Sequence, residues 1–193
     1  MSEDNKQLAE QRPATTDKLN FIGIVTPHNI AGVLDIVMII FLLSNWLDFQ
    51  IGDSIMHCTP FELMRGAGID ISPIATLLPG GEGILNIVIV GGGILHFAAL
   101  LLLAVNVFVH FLGKKDRFAI LTYVATACGL VIWIAWNIIG LAVGSSFGVH
   151  VNPMAGLFII FGALNIYICS AKGKAAMSTF WEGMDETQEH ELP

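Results

Sequence analysis

Residues 84–112, ILNIVIVGGGILHFAALLLLAVNVFVHFL, run from end to end without an Asp, Glu, Lys or Arg. As an α-helix rising 1.5 Å per residue the stretch would be about 43 Å long, more than the ~30 Å hydrocarbon layer of a bilayer requires. Three further stretches of the same character flank it, at 27–46, 118–143 and 153–171. Each is close to the ~20 apolar residues that one crossing needs. The expected fold class is all-α integral membrane: a four-transmembrane-helix bundle with a small ordered extracytoplasmic cap, about 47–83, between helices 1 and 2. Residues 1–26 form a polar N-terminal segment, 27–171 the transmembrane domain and 172–193 a tail.

Composition points the same way. Of the 193 residues, 54% are hydrophobic and only 13% charged, against about 25% charged in ordinary soluble domains. The net charge of −7 comes from acids in the two tails and in the loop after the first apolar stretch. No basic stripe exists to neutralise successive phosphates, so nucleic acid is not an expected partner. The first twenty residues lack an apolar core and a small-residue cleavage site, so they do not read as a secretory signal peptide.

Orientation follows from the cations. Lys6, Arg12 and Lys18 precede the first stretch, Lys114, Lys115 and Arg117 lie between the second and third, and Lys172 and Lys174 follow the fourth. Arg65 alone lies on the other side. The positive-inside rule then puts both termini in the cytoplasm. The tail after Lys174 opens with Met177, Phe180, Trp181 and Met184, suited to a headgroup region. It closes with Asp185, Glu186, Glu189 and Glu191, an acidic end expected to be disordered.

Thr26-Pro27 and Asn152-Pro153 each place a capping side chain before a first-turn proline. In the longer external loop, Thr59-Pro60-Phe61-Glu62 is a capping-box pattern with Gly66 as its stop. Ser72-Pro73 starts a second short helix that Pro79-Gly80-Gly81 ends. The alternative for this loop is an extended segment with an edge strand, because Phe49 to Ile55 alternates weakly in polarity. The layout of a first external cap, a tight basic turn and a very short second external loop, with Trp46 and Cys58 in or near the cap, resembles that of claudin-like tetraspan proteins. Claudins carry a Gly-Leu-Trp and a second cysteine there, which this chain lacks, so the resemblance implies topology and no junction role.

Asp35 is the costliest residue for a membrane reading, at roughly 2.5–3.5 kcal/mol for a carboxylate inside a span. Depth counting from the cytoplasmic ends places Asn106, Thr122 and Asn165 beside it. These four residues are expected to form a polar intramembrane layer, acting as interhelical glue or as part of a proton or cation path. His96 and His110 are fourteen residues apart, nearly four helical turns, and share a face. That spacing is similar to the histidine pair of di-haem cytochrome b proteins. With His28 as a partner for His110, and Gly91, Gly92 and Gly93 allowing close approach, a haem b site is the alternative reading. Otherwise the histidines bond backbone or headgroups.

Gly91, Gly92 and Gly93, Gly140 and Gly144 in GxxxG spacing, and Gly156 and Gly162 mark helix-packing faces. No catalytic set is identified: Ser145 and Ser146 near His150 lack an acidic orienter. No metal site is expected beyond a loop cluster of His57, Cys58, Asp53 and Glu62, whose adjacent members point apart. The expected function is protein-protein contact, as a non-enzymatic accessory or assembly subunit of a membrane complex or as a homo-oligomer. Its expected partners are the lipid bilayer and other membrane-protein subunits or self.

Overall fold

The structure is a computed structural model that describes residues 27–51, 53–66, 68, 70–111, 119–143 and 148–179. Among them, helix α1 (Pro27–Leu43) leads into a hairpin of β1 (Leu47–Ile51) and β2 (Ser54–Cys58). Two short helices follow, α2 (Pro60–Met64) and α3 (Ser72–Leu77), then the long helices α4 (Gly81–Phe111) and α5 (Ala119–Val143). Strand β3 (Gly148–Val151) precedes α6 (Pro153–Cys169), and α7 (Ala171–Thr179) is bent 77° away from α6. The chain is therefore mostly helical, and the sheet corrects the all-α expectation.

Helices α1, α4, α5 and α6 close a ring, α1 and α5 each packing against both α4 and α6. Two helical segments, Gly81–Phe111 and Ile120–Val143, are long and apolar enough to cross a membrane. The pair α6 and α7 qualifies only if the bent pair is one span, and α1 contributes a shorter apolar stretch. The ring is apolar on its outside. Ile40 on α1 is 57% exposed, Ile87 on α4 73%, Leu141 on α5 83% and Ile160 on α6 61%. Its fully enclosed residues include Asp35, Asn106 and Asn165. A water-soluble bundle shows the opposite arrangement.

The sheet caps one end of this ring. Its order is β2-β1-β3, antiparallel throughout, with Phe49 opposite Met56 on one side and Val149 on the other. Period-two alternation turns Leu47 and Phe49 inward, each 1% exposed, and leaves Asp48 and Gln50 on the outer face. Both expectations for the long loop hold at once: the Phe49–Ile55 alternation becomes a hairpin and the two helical turns follow it. The short segment between α5 and α6 supplies β3, which its length and glycines conceal in the sequence.

Local chemistry sets the boundaries. The Thr59 side chain accepts from the Glu62 amide at 3.1 Å, and the Glu62 carboxylate accepts from the Thr59 amide at 2.8 Å, a complete capping box. Gly66, at φ 84°, follows as the stop. Asn152 caps α6 by accepting from the Met154 amide at 3.1 Å; Thr26 lies outside the described residues. Before α3, hydrogen bonds from the Ser72 side chain and amide hold the Asp70 carboxyl below its usual range.

Candidate functional site

The half of the ring away from the sheet is organised around one carboxylate. Asp35, on α1, is 0% exposed, and each of the other three long helices reaches it with a polar side chain. Asn165 of α6 donates from Nδ2 to Asp35 Oδ1 at 2.7 Å, and the Thr122 hydroxyl of α5 donates to the same oxygen at 3.1 Å. Asn106 of α4 donates from Nδ2 to Oδ2 at 2.6 Å. His110, one turn further along α4, places Nε2 3.3 Å from Oδ2. A carboxylate can accept about four hydrogen bonds, and these neighbours occupy the positions that water would fill outside the protein.

A second tier of bonds orients the first. Asn165 Nδ2 also donates to the Ala31 carbonyl at 3.1 Å, one turn before Asp35. Thr122 Oγ1 accepts from Asn106 Nδ2 at 2.7 Å while donating to Asp35, so its lone pair and its proton both have assignments. Thr126 donates to the Thr122 carbonyl at 2.7 Å, and Cys169 lies 3.5 Å from Asn165 Oδ1. Asn106 Oδ1 is buried and has no hydrogen-bond partner. In chemical terms the arrangement holds a negative charge, or a shared proton, away from the apolar outside of the ring.

The structure thus brings together Asp35, Asn106, Thr122 and Asn165, which depth counting had grouped. Sequence reasoning missed that His110 belongs to the same cluster, although its i+4 spacing from Asn106 puts the two on one face. It also missed Gly32, where a Cβ would lie 3.2 Å from His110 Cβ, so that glycine lets α4 close on α1 beside the carboxylate.

The haem reading meets occupied nitrogens. His96, 4% exposed, holds the Leu42 carbonyl with Nε2 at 2.8 Å and packs edge-on against Trp46. His110 Nε2 is engaged with Asp35 and Asn106. The His28 side chain lies outside the described residues. The face at Gly93 is filled by Met64 of α2, where a Cβ would lie 2.5 Å from Met64 Cβ. Iron ligation through either Nε2 would therefore have to break a buried hydrogen bond.

The glycines divide differently from the helix-packing expectation. Gly140 makes room for a strand: a Cβ there would lie 2.9 Å from the Val149 carbonyl oxygen of β3. Gly162 packs on Thr126 and Met38, and Gly92 faces the Trp136 indole, while Gly91 and Gly156 meet nothing within 4 Å. Gly144 lies outside the described residues. Gly129, not singled out from the sequence, receives the Phe158 ring and Trp46.

Outside the ring, His57 pairs with Asp48 across the hairpin at 2.7 Å. The Cys58 thiol is pushed up to about 12 by burial first, then by the charges of Glu62 and Asp48. Among the described residues no three His, Cys, Asp or Glu side chains converge as a metal ion would require, which overturns the loop metal cluster. Ser145 and Ser146 lie outside the described residues, and His150 is exposed on β3, opposite Asp48. The chain matches no protein-family model, no curated protein and no solved structure.

Proposed function

We propose that this chain is a four-transmembrane-helix, multi-pass membrane protein, its termini cytoplasmic and its sheet-bearing cap outside. In this reading it acts by protein-protein contact, as an accessory or assembly subunit of a membrane complex or as a homo-oligomer. One observation carries the reading: apolar side chains face outward on all four long helices while the polar layer is closed inside by mutual hydrogen bonds. Helices α1 and α6, at 17 residues each, are at the short end of what spans a bilayer, and local thinning accommodates such lengths. The Asp35 layer fills the inner half of the ring, and Trp46, Phe49, Trp136 and Phe158, all at most 1% exposed, fill the outer end. A ring filled by side chains at both ends suits a contact protein better than a carrier. The claudin-like layout is retained here as topology alone.

The test is native-gel migration after mild detergent extraction, where an oligomer or a stoichiometric partner chain is expected. Migration at monomer mass with no co-purifying chain sinks the contact reading. A proton or cation path through Asp35 is the second reading, favoured by the proximity of His110 Nε2 to Asp35 Oδ2 and by the unpaired Asn106 Oδ1. Asp35→Asn in proteoliposomes separates the two: abolished ion flux with assembly retained would establish the path. For the haem b alternative, purified protein without a Soret band ends the matter.

A further inference from the structure

Between β2 and α2 lies a mostly polar pocket of about 460 Å³, lined by Asn45, His57, Cys58, Glu62, Arg65 and Gly66. Glu62 and Arg65 are three residues apart at the end of α2, a spacing at which opposite charges usually pair. Here they form no ion pair with each other, because each is drawn elsewhere. The Glu62 carboxylate is pulled back into the capping box, where Oε2 accepts from the Thr59 amide at 2.8 Å and from the Thr59 hydroxyl at 3.0 Å. The Arg65 guanidinium lies over the Phe61 ring, 5.9 Å from its centroid. The pocket therefore presents a positive and a negative group held apart. Among the described residues, Glu62 Oε1 and the guanidinium donors have no hydrogen-bond partner.

Two separated charges of opposite sign select a ligand that carries both. A simple anion would meet Glu62 and a simple cation would meet Arg65, each at the cost of a like-charge contact. A zwitterion satisfies the two together. His57, fixed by Asp48 at 2.7 Å, adds a ring nitrogen to the wall, and Asn45 adds an amide. The surroundings point further, to an amphiphile. Asn45 lies two residues beyond the end of α1, whose Leu43 is 64% exposed, so the pocket opens where the apolar outside of that helix stops. Phe61, beneath Arg65, stacks on Phe97 of α4 at 5.3 Å and 19°, and Phe97 is 44% exposed on the outside of the ring. Apolar surface thus leads from Phe97 through Phe61 to the guanidinium, the profile of a hydrocarbon chain that ends in a charged head.

We infer that this pocket binds the head of an aminophospholipid of the ethanolamine type, its phosphate on Arg65 and its primary ammonium on Glu62, with an acyl chain along Phe61 and Phe97. A guanidinium takes phosphate oxygens in forked pairs. A primary ammonium donates three hydrogen bonds, and a trimethylated headgroup donates none. A serine headgroup would bring a carboxylate toward Glu62. The inference rests on the membrane reading above and is independent of the contact role.

The test is native mass spectrometry of the full chain in mild detergent, titrated with dioleoyl phosphatidylethanolamine or with dioleoyl phosphatidylcholine. The expected result is a saturable adduct that prefers the ethanolamine lipid by roughly fivefold to tenfold, the effect of hydrogen bonding from the ammonium. Glu62→Gln keeps the capping box, which glutamine also closes, and should erase that preference while the choline lipid binds as before. Arg65→Gln should weaken both lipids by roughly tenfold, the effect of a charge-assisted bond to phosphate. Both side chains are exposed, so neither variant should unfold the cap. Equal binding of the two lipids by the native chain, a preference that survives Glu62→Gln, or binding indifferent to Arg65→Gln overturns the assignment. So does displacement of the lipid by an equal concentration of O-phosphoethanolamine, which would give the pocket to a soluble zwitterion. A protein that stayed monodisperse without detergent or lipid would defeat the membrane reading separately, before any lipid was added.

Discussion

The two ends of the helix ring solve the same packing problem by opposite means. At the end away from the sheet, Asp35 is held by Asn106, Thr122 and Asn165 through directional bonds of 2.6–3.1 Å, with His110 beside them. At the sheet-capped end the helices are held by ring packing. Trp46 contacts Phe158 at a centroid distance of 5.3 Å, Phe49 meets Trp136 edge-on at 5.8 Å, and the sheet sits over them. Hydrogen bonds specify partners by geometry, whereas aromatic contacts fill volume and tolerate adjustment. The polar end therefore fixes which helix faces which, and the sheet-capped end is filled by rings.

That contrast can be broken by substitution. Trp46→Ala removes a fully enclosed indole that also donates to the Phe41 carbonyl at 2.7 Å, and is expected to cost about 3–5 kcal/mol. Asp35→Ala leaves Asn106, Thr122 and Asn165 with unpaired donors, and is expected to cost about 2–4 kcal/mol. Thermal or denaturant unfolding in one detergent measures both. Trp46 lies three residues beyond the end of α1 at Leu43, itself eight residues or about 12 Å along the helix from Asp35, and the two share no partner, so the double variant should be additive within about 0.5 kcal/mol. A coupling well above that would show that the two ends act as one unit.

Gly140 and Gly91 sharpen the comparison at smaller amplitude. A methyl at Gly140 meets the β3 backbone, which shifts only by moving the sheet. Gly140→Ala should therefore cost about 1–3 kcal/mol. Gly91→Ala meets open space and should be neutral or stabilising by about 0.5–1 kcal/mol from helix propensity alone. Equal effects at the two positions would remove the distinction between a glycine that admits a neighbour and one that does not.

What the sequence disclosed follows the same division. Depth along an apolar helix is set by a fixed rise per residue, so Asp35, Asn106, Thr122 and Asn165 were groupable by counting. Counting does not reveal rotation about each helix axis, so it leaves His110 out of the group, although it lies one turn from Asn106. The capping box at Thr59 was legible because its donors and acceptors lie within four residues. β3 was not, because a four-residue strand paired with β1 about a hundred residues away has no local signature. Gly140 shows the same limit: GxxxG spacing records a small face and not that a strand fills it.

Cys58 supplies the mildest perturbation, and its sign is fixed by its surroundings. The thiol is 2% exposed, with burial and the charges of Glu62 and Asp48 raising it from 9.0 to about 12. A raised value favours the protonated form in the folded state. Its contribution to stability is therefore complete below pH 9.0, declines as the unfolded chain ionises and is lost by about pH 12. At neutral pH both states are protonated and ionisation contributes nothing. At pH 8 the folded thiolate fraction should be about a thousandfold below that of an unperturbed thiol, so iodoacetamide should react correspondingly slowly. The measurement is alkylation of a Cys128→Ser, Cys169→Ser background in mild detergent, followed by mass spectrometry, with the denatured protein as the reference. Reaction of folded and denatured chains at similar rates would mean that β2 opens readily and that the sheet is not fixed to the end of the ring.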